Sequence, residues 1–211
     1  MDKKNIRRCI LYGVDQTKSR RQLMRSAFSL AFIIMIFGVP AIFESSLPRV
    51  YLACIGVIET IYIVGVVFLS RTLNLKRRIL INGYESILLS VLFMLLSGIY
   101  WEINQGLYYW YHMATLPFVM AGISILLMDW NVKKGRYSKI QKNLNFTLIT
   151  VGAMIGVAFG NVVTLLVPGN VKLDQVYVFA AVFMEILSCI FALGSSSFLK
   201  LHYIKKMKNI R

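Results

Sequence analysis

Residues 50–100 read VYLACIGVIETIYIVGVVFLS, then RTLNLKRR, then ILINGYESILLSVLFMLLSGIY. The first run (50–70) and the last (79–100) hold one charge each, Glu59 and Glu85, while the eight residues between them carry four basic side chains. At 1.5 Å per helical residue each run is long enough to cross a hydrocarbon core of about 30 Å. Two such runs joined by a short basic turn read as a pair of membrane helices, because lipid offers the backbone no hydrogen bonds and a helix satisfies its own.

The same alternation extends in both directions and predicts an all-α bundle of six transmembrane helices: 26–43, 50–70, 79–100, 107–128, 146–167 and 176–199. Residues 1–25 and 200–211 then form basic tails. The first apolar run follows a long basic stretch and lacks a small-residue cleavage signal, so it is expected to be a span rather than a signal peptide. The chain is 57% hydrophobic and only 16% charged, against about 25% charged in ordinary soluble domains.

Net charge is +15, which in a soluble protein would raise nucleic acid. Here position answers the question. Of the 24 Lys and Arg, 22 fall in the two tails and in the second-to-third and fourth-to-fifth connections, leaving Arg49 and Lys172 for the other face. Cytoplasmic loops carry the positive excess. The expected topology places both ends in the cytoplasm of a multi-pass cell-membrane protein, with anionic lipid and not nucleic acid against the basic face. Within residues 1–25, Ile6, Cys9, Ile10 and Val14 recur at helical spacing among basic residues, the pattern of an amphipathic helix at the inner leaflet.

The candidate chemistry lies inside the spans. A charge near the bilayer centre costs at least about 2.5–3.5 kcal/mol, so such residues usually face the bundle interior and have a partner, whether they carry function or only hold helices together. Glu59 and Glu185 are each nine residues from the outer start of their runs, roughly 13 Å deep, and Glu85 is roughly 9 Å from the inner edge. Glu59 and Glu185 are therefore expected to form a polar centre that shares a proton or binds a cation, with Glu85 on the inner side. Two small, polar stripes accompany them: Asn82, Glu85, Ser86, Ser90 and Ser97 on the third span, and Ala181, Glu185, Ser188, Ala192 and Ser195 on the sixth. Both are expected to look inward.

Gly152, Gly156 and Gly160 stand four apart on the fifth span, and resemble the glycine zippers of close-packed membrane helices. Tyr108, Tyr109, Trp110, Tyr111 and His112 open the fourth span, as an interfacial belt or as the mouth of an outer ligand site. The three cysteines, Cys9, Cys54 and Cys189, and the two histidines, His112 and His202, have no metal-ligand spacing. No nucleotide-binding loop or catalytic motif is present, so neither a cofactor nor an enzymatic role is expected.

In architecture alone, a basic amphipathic helix before six spans resembles the permeases of ATP-driven polysaccharide and drug exporters. Length, span count and the Ala27/Ala31 pair are similar to the substrate-binding subunits of vitamin importers. The expected function is a small permease, or the membrane subunit of a multi-component transporter with a separate ATPase subunit or a second copy as partner. The alternative is an immunity or resistance protein against a membrane-active toxin, or a sensor without its own output domain.

Overall fold

A computed structural model describes residues 3–12, 14, 18–47, 49–104, 106–138 and 173–208. Every regular element among them is helical: α1 (Lys3–Leu11), α2 (Arg20–Glu44), α3 (Arg49–Leu69), α4 (Leu75–Ile103), α5 (Leu107–Met113), α6 (Leu116–Lys133), α7 (Leu173–Leu193) and α8 (Ser197–Lys208), with 3-10 turns at Arg136–Ser138 and Gly194–Ser196. The 146–167 run and its glycines Gly152, Gly156 and Gly160 lie outside the described residues. Four helical stretches are long and apolar enough to cross a membrane: Arg49–Leu69, Leu75–Ile103, Leu107–Lys133 and Gln175–Met207. Their outward faces, together with that of α2, present large apolar side chains such as Phe32, Phe43, Val64, Phe68, Phe118 and Leu126. An apolar girdle of that extent marks a surface that meets lipid or another protein.

Helix boundaries follow local chemistry. Ser19 and Gln22 form a reciprocal capping box that starts α2, and the Asn74 side chain caps α4 by accepting from Arg77 N at 2.9 Å. The fourth apolar run is not the single helix expected over 107–128. Pro117 lacks an N–H for the preceding turn, and the chain breaks at Ala114–Thr115 into α5 and α6, with Pro117 in the first turn of α6. The sixth run starts earlier than expected, at Leu173, and is interrupted by the turn at Gly194–Ser196. Residues 200–208 form no loose tail: they are helical in α8, with Lys200 and Tyr203 buried.

α4 is the axis of the bundle and the most buried of the four stretches; α2, α3, α5, α7 and α8 all pack on it. Contacts fix the directions. Tyr51 Oη donates to Leu95 O at 2.8 Å, and Tyr84 hydrogen-bonds Ile61 O, so α3 runs antiparallel to α4. Ser45 bonds Glu102 near one end, and Leu23 and Ile81 line one cavity near the other, so α2 runs parallel to it. Ser188 meets Ser90, and a Cβ on Gly83 would touch Phe198, so α7 and α8 run antiparallel to it. α6 and α7 run in the same direction, since Ser124 bonds Leu193 O and Asp129 bonds Tyr203.

At the end of the bundle where α4 begins, α1 is docked on protein. Ile6, Cys9 and Ile10 are buried with Ile79, Met128, Val132, Tyr137 and Tyr203. The buried amide of Asn5 donates to Val132 O at 2.7 Å, and Lys200 Nζ donates to Tyr12 O. The amphipathic face expected to lie on the inner leaflet is thus spent on the ends of α6 and α8. Lys and Arg of the described residues crowd this end; the opposite end holds Arg49, with Glu102 held by Ser45 and Ser46 and Glu44 by Tyr177.

Candidate functional site

Ser86, Ser90 and Ser97 of the first polar stripe face the second across the α4–α7 seam, whereas Asn82 and Glu85 line a cavity with Leu23 and Ser26 of α2. Ser188 Oγ donates to Ser90 O at 2.7 Å, and the two hydroxyl oxygens lie 3.2 Å apart. Ala181, Ser188, Ala192 and Ser195 are buried, and Phe93 stacks on Phe191 with ring centroids 5.4 Å apart. Small side chains on both helices permit this approach: a Cβ on Gly194 would come within 2.0 Å of Ser86 Oγ. The seam is closed by packing along most of its length.

Glu185 stands in this seam and is 1% exposed. Ser97 faces its carboxyl from α4, but without the geometry of a hydrogen bond. Both Glu185 oxygens and Ser97 Oγ are buried with no hydrogen-bond partner. Buried carboxylates are normally paired or fully hydrogen-bonded. Three buried oxygens, with the Ser97 hydroxyl the one donor facing the carboxyl, make this the most unusual polar group among the described residues.

Glu59 sits elsewhere. It is half-buried on α3, with one carboxyl oxygen buried and unpartnered, and Tyr62, three residues on, has a buried hydroxyl without a partner. α3 packs on α4 and α2 rather than on α7. The Tyr51 and Tyr84 contacts place Glu59 opposite residues 86–87 of α4, whereas the Ser90 and Ser86 contacts place Glu185 opposite residues near 93. At 1.5 Å per residue the two differ in height by roughly 10 Å. Counting from the starts of the two runs assumes that both begin at one level. They do not: Tyr51 is level with Leu95, but Tyr177 is level with Tyr100. The structure does not bring the two glutamates into one centre.

Glu85 lies within electrostatic reach of the Tyr62 hydroxyl and of Lys18. It lines a small polar cavity of about 110 Å³ with Lys18, Ser26, Arg78 and Asn82, at the basic end as expected. The aromatic cluster forms α5, where Tyr108, Tyr109 and Tyr111 are exposed. Trp110 anchors it, donating to Met94 O at 3.0 Å and meeting Tyr51 edge-on. His112 lies against Tyr108 with ring centroids 4.6 Å apart. Among the described residues no group of three or more His, Cys, Asp or Glu gathers to hold a metal.

Sequence reasoning passed over the α1 dock. Cys9 is fully buried there; burial pushes its thiol up to about 11, against the opposing pull of Lys200 and of a hydrogen bond with Tyr137. The signal was available, since Ile6, Cys9 and Ile10 share one helical face, but its partners come from three distant segments. Comparison of the chain with protein-family models, with curated proteins and with solved structures gave no match.

Proposed function

We propose that the chain is a six-span membrane protein with both ends in the cytoplasm, acting as a small permease or as the membrane subunit of a larger transporter, with Glu185 as its polar centre. One observation carries the reading: a fully buried carboxyl, deep between two apolar helices, whose oxygens accept no hydrogen bond. An ionisable group kept at such a position is expensive, and by default it marks a proton or ion path. Ser97, Ser90 and Ser188 supply hydroxyls along the same seam.

The topology draws support from direction and charge. α1 and α8 pack together at the basic end, as cytoplasmic placement of both requires. α6 ends at that end and α7, parallel to it, begins at the opposite one. An odd number of crossings must join them, and the 146–167 run is of the right length for one.

The test is proton flux into vesicles under an imposed potassium diffusion potential. The wild type should carry protons faster than protein-free vesicles, and Glu185→Gln should fold normally and fall to the protein-free rate. A purely structural glutamate predicts the opposite pattern: unchanged flux in Glu185→Gln and lost stability in Glu185→Ala.

A further inference from the structure

The cavity between the start of α2 and the first turns of α4 is lined by Lys18, Ser26, Arg78, Asn82 and Glu85, and its volume of about 110 Å³ gives room for a group several times the size of a water. Arg78 Nη1 donates to Lys18 O at 2.8 Å, which ties the segment before α2 to α4 and forms one wall. Lys18 and Ser26 are exposed, while Arg78, Asn82 and Glu85 are half-buried, so the cavity opens to the surface. It lies at the basic end of the bundle, beside Lys76, Arg77 and Arg78 in the first turn of α4. Basic pockets between membrane helices at such a level suit lipid headgroups.

Its charges are mixed. Arg78, Asn82 and Glu85 are spaced four and three apart, so they share one face of α4. The Glu85 carboxyl is hydrogen-bonded and ion-paired to none of the described residues. Unlike the Glu185 carboxyl, it is not sealed in protein: its oxygens are open on the cavity. Lys18 is within electrostatic reach of it without closing an ion pair. A carboxylate within a membrane helix is normally met by a partner. The cavity therefore suits a molecule that brings an anionic group to Lys18 and Arg78 and a hydrogen-bonding cation to Glu85.

We infer that this cavity binds the headgroup of an aminophospholipid of the phosphatidylethanolamine type, with Lys18 and Arg78 holding its phosphate and Glu85 accepting from its primary ammonium. A wholly anionic headgroup would satisfy the two basic side chains but set its charge against Glu85. A choline headgroup carries the right charges, but its ammonium has no N–H to donate. The inference rests on membrane placement and not on the Glu185 reading, so failure of the flux test leaves it standing.

Dioctanoyl lipids with ethanolamine, choline or glycerol headgroups share their tails, and thermal stabilisation of the full chain in dodecyl maltoside measures binding of each. The wild type should bind the ethanolamine lipid at least about 10-fold more tightly than the choline lipid, as for one hydrogen bond to a charged group. It should bind the glycerol lipid no more tightly than the ethanolamine lipid. Glu85→Gln should remove the preference for ethanolamine over choline. Lys18→Gln, at an exposed position, should weaken both and leave their ratio unchanged. Equal binding of the ethanolamine and choline lipids by the wild type, tighter binding of the glycerol lipid, or a preference that survives Glu85→Gln would overturn the inference. So would tighter ethanolamine binding in Lys18→Gln, which would make Lys18 itself the partner of Glu85. Glycerophosphoethanolamine carries the same headgroup without tails and should bind far more weakly; equal affinity would assign the site to a soluble phosphate ester and overturn the lipid. Should Glu85→Gln fail to fold, Ser26→Trp, on the exposed rim, replaces it: ethanolamine binding should fall to the choline level, and an unchanged preference counts against the site.

Discussion

Ser188 of α7 donates to the backbone carbonyl of Ser90 on α4 at 2.7 Å, across a sequence separation of 98 residues. The bond joins the two most extensively packed helices at a buried point, and it adds a second donor to a carbonyl that already takes part in its own helix. Hydroxyl contacts between membrane helices are worth about 0.6 kcal/mol on average and up to about 1.7. Ser188→Ala should therefore lower stability in detergent unfolding by about 0.5–1 kcal/mol. Ser188→Leu adds bulk to a closed seam and should cost more, about 1–3 kcal/mol. Equal effects of the two would mean that the seam is looser than its burial implies.

Glycines on α3 and α4 give a matched pair. A Cβ on Gly98 would lie 2.4 Å from the Tyr51 hydroxyl and 2.8 Å from the Trp110 ring, whereas one on Gly56 meets nothing within 4 Å. Gly98→Ala should displace both anchors of α5 and cost about 1–3 kcal/mol. Gly56→Ala should be neutral or stabilise by up to about 1 kcal/mol through helix propensity. Thermal unfolding in detergent compares them.

Docking of α1 can be read through Cys9. Asn5→Ala removes the buried amide that bonds Val132 O, a loss of about 1–2 kcal/mol. Maleimide labelling of Cys9 should accelerate about 5- to 30-fold, the same energy expressed as a population of undocked helix. An unchanged rate would show that Asn5 does not hold α1 down.

The Cys9 thiol also gives that dock a pH dependence. Its value rises from 9.0 to about 11 on burial, so the docked form favours the neutral thiol. The contribution is fully present below pH 9, where neither form ionises, and is lost as pH rises towards 11 because the undocked form gives up its proton first. Spin labels on α1 and α6 should separate progressively over that window, and Cys9→Ser should remove the part that begins near pH 9 while leaving the part contributed by the hydroxyls of Tyr12 and Tyr137, which burial also pushes up. Separation that begins below pH 8 would point to another group.

Topology has its own test. Reporter fusions after Lys139 and after Lys172 should report opposite sides of the membrane, with the former cytoplasmic. Agreement between them would remove the fifth crossing.

Apolar runs, the inward serine stripes and the basic end are legible because each depends on one helix alone. Burial of Ser90, Ser97, Ser188 and Ser195 follows from their shared face, and Pro117 contains the break before α6 for a reader who weighs its missing donor. Relative height is not legible. It depends on where one helix settles against another, which Tyr51, Tyr84 and Trp110 fix by reaching across to Leu95, Ile61 and Met94. That is why Glu59 and Glu185 share a count from their loops and not a level. The dock of α1 was hidden for a related reason: an amphipathic face reads the same whether lipid or protein covers it.

The pairing of α4 with α7 bears on how the chain is made. α4 carries Ser90 and Ser97 on a face that α7 covers, and 98 residues separate Ser90 from Ser188. At about 5–20 residues per second, that polar face waits roughly 5–20 s after synthesis for its partner. Of the contacts that bury α4, those with Leu173–Leu193 and Ser197–Lys208 are thus the last that synthesis makes available, and the largest share of its packing is the last to form.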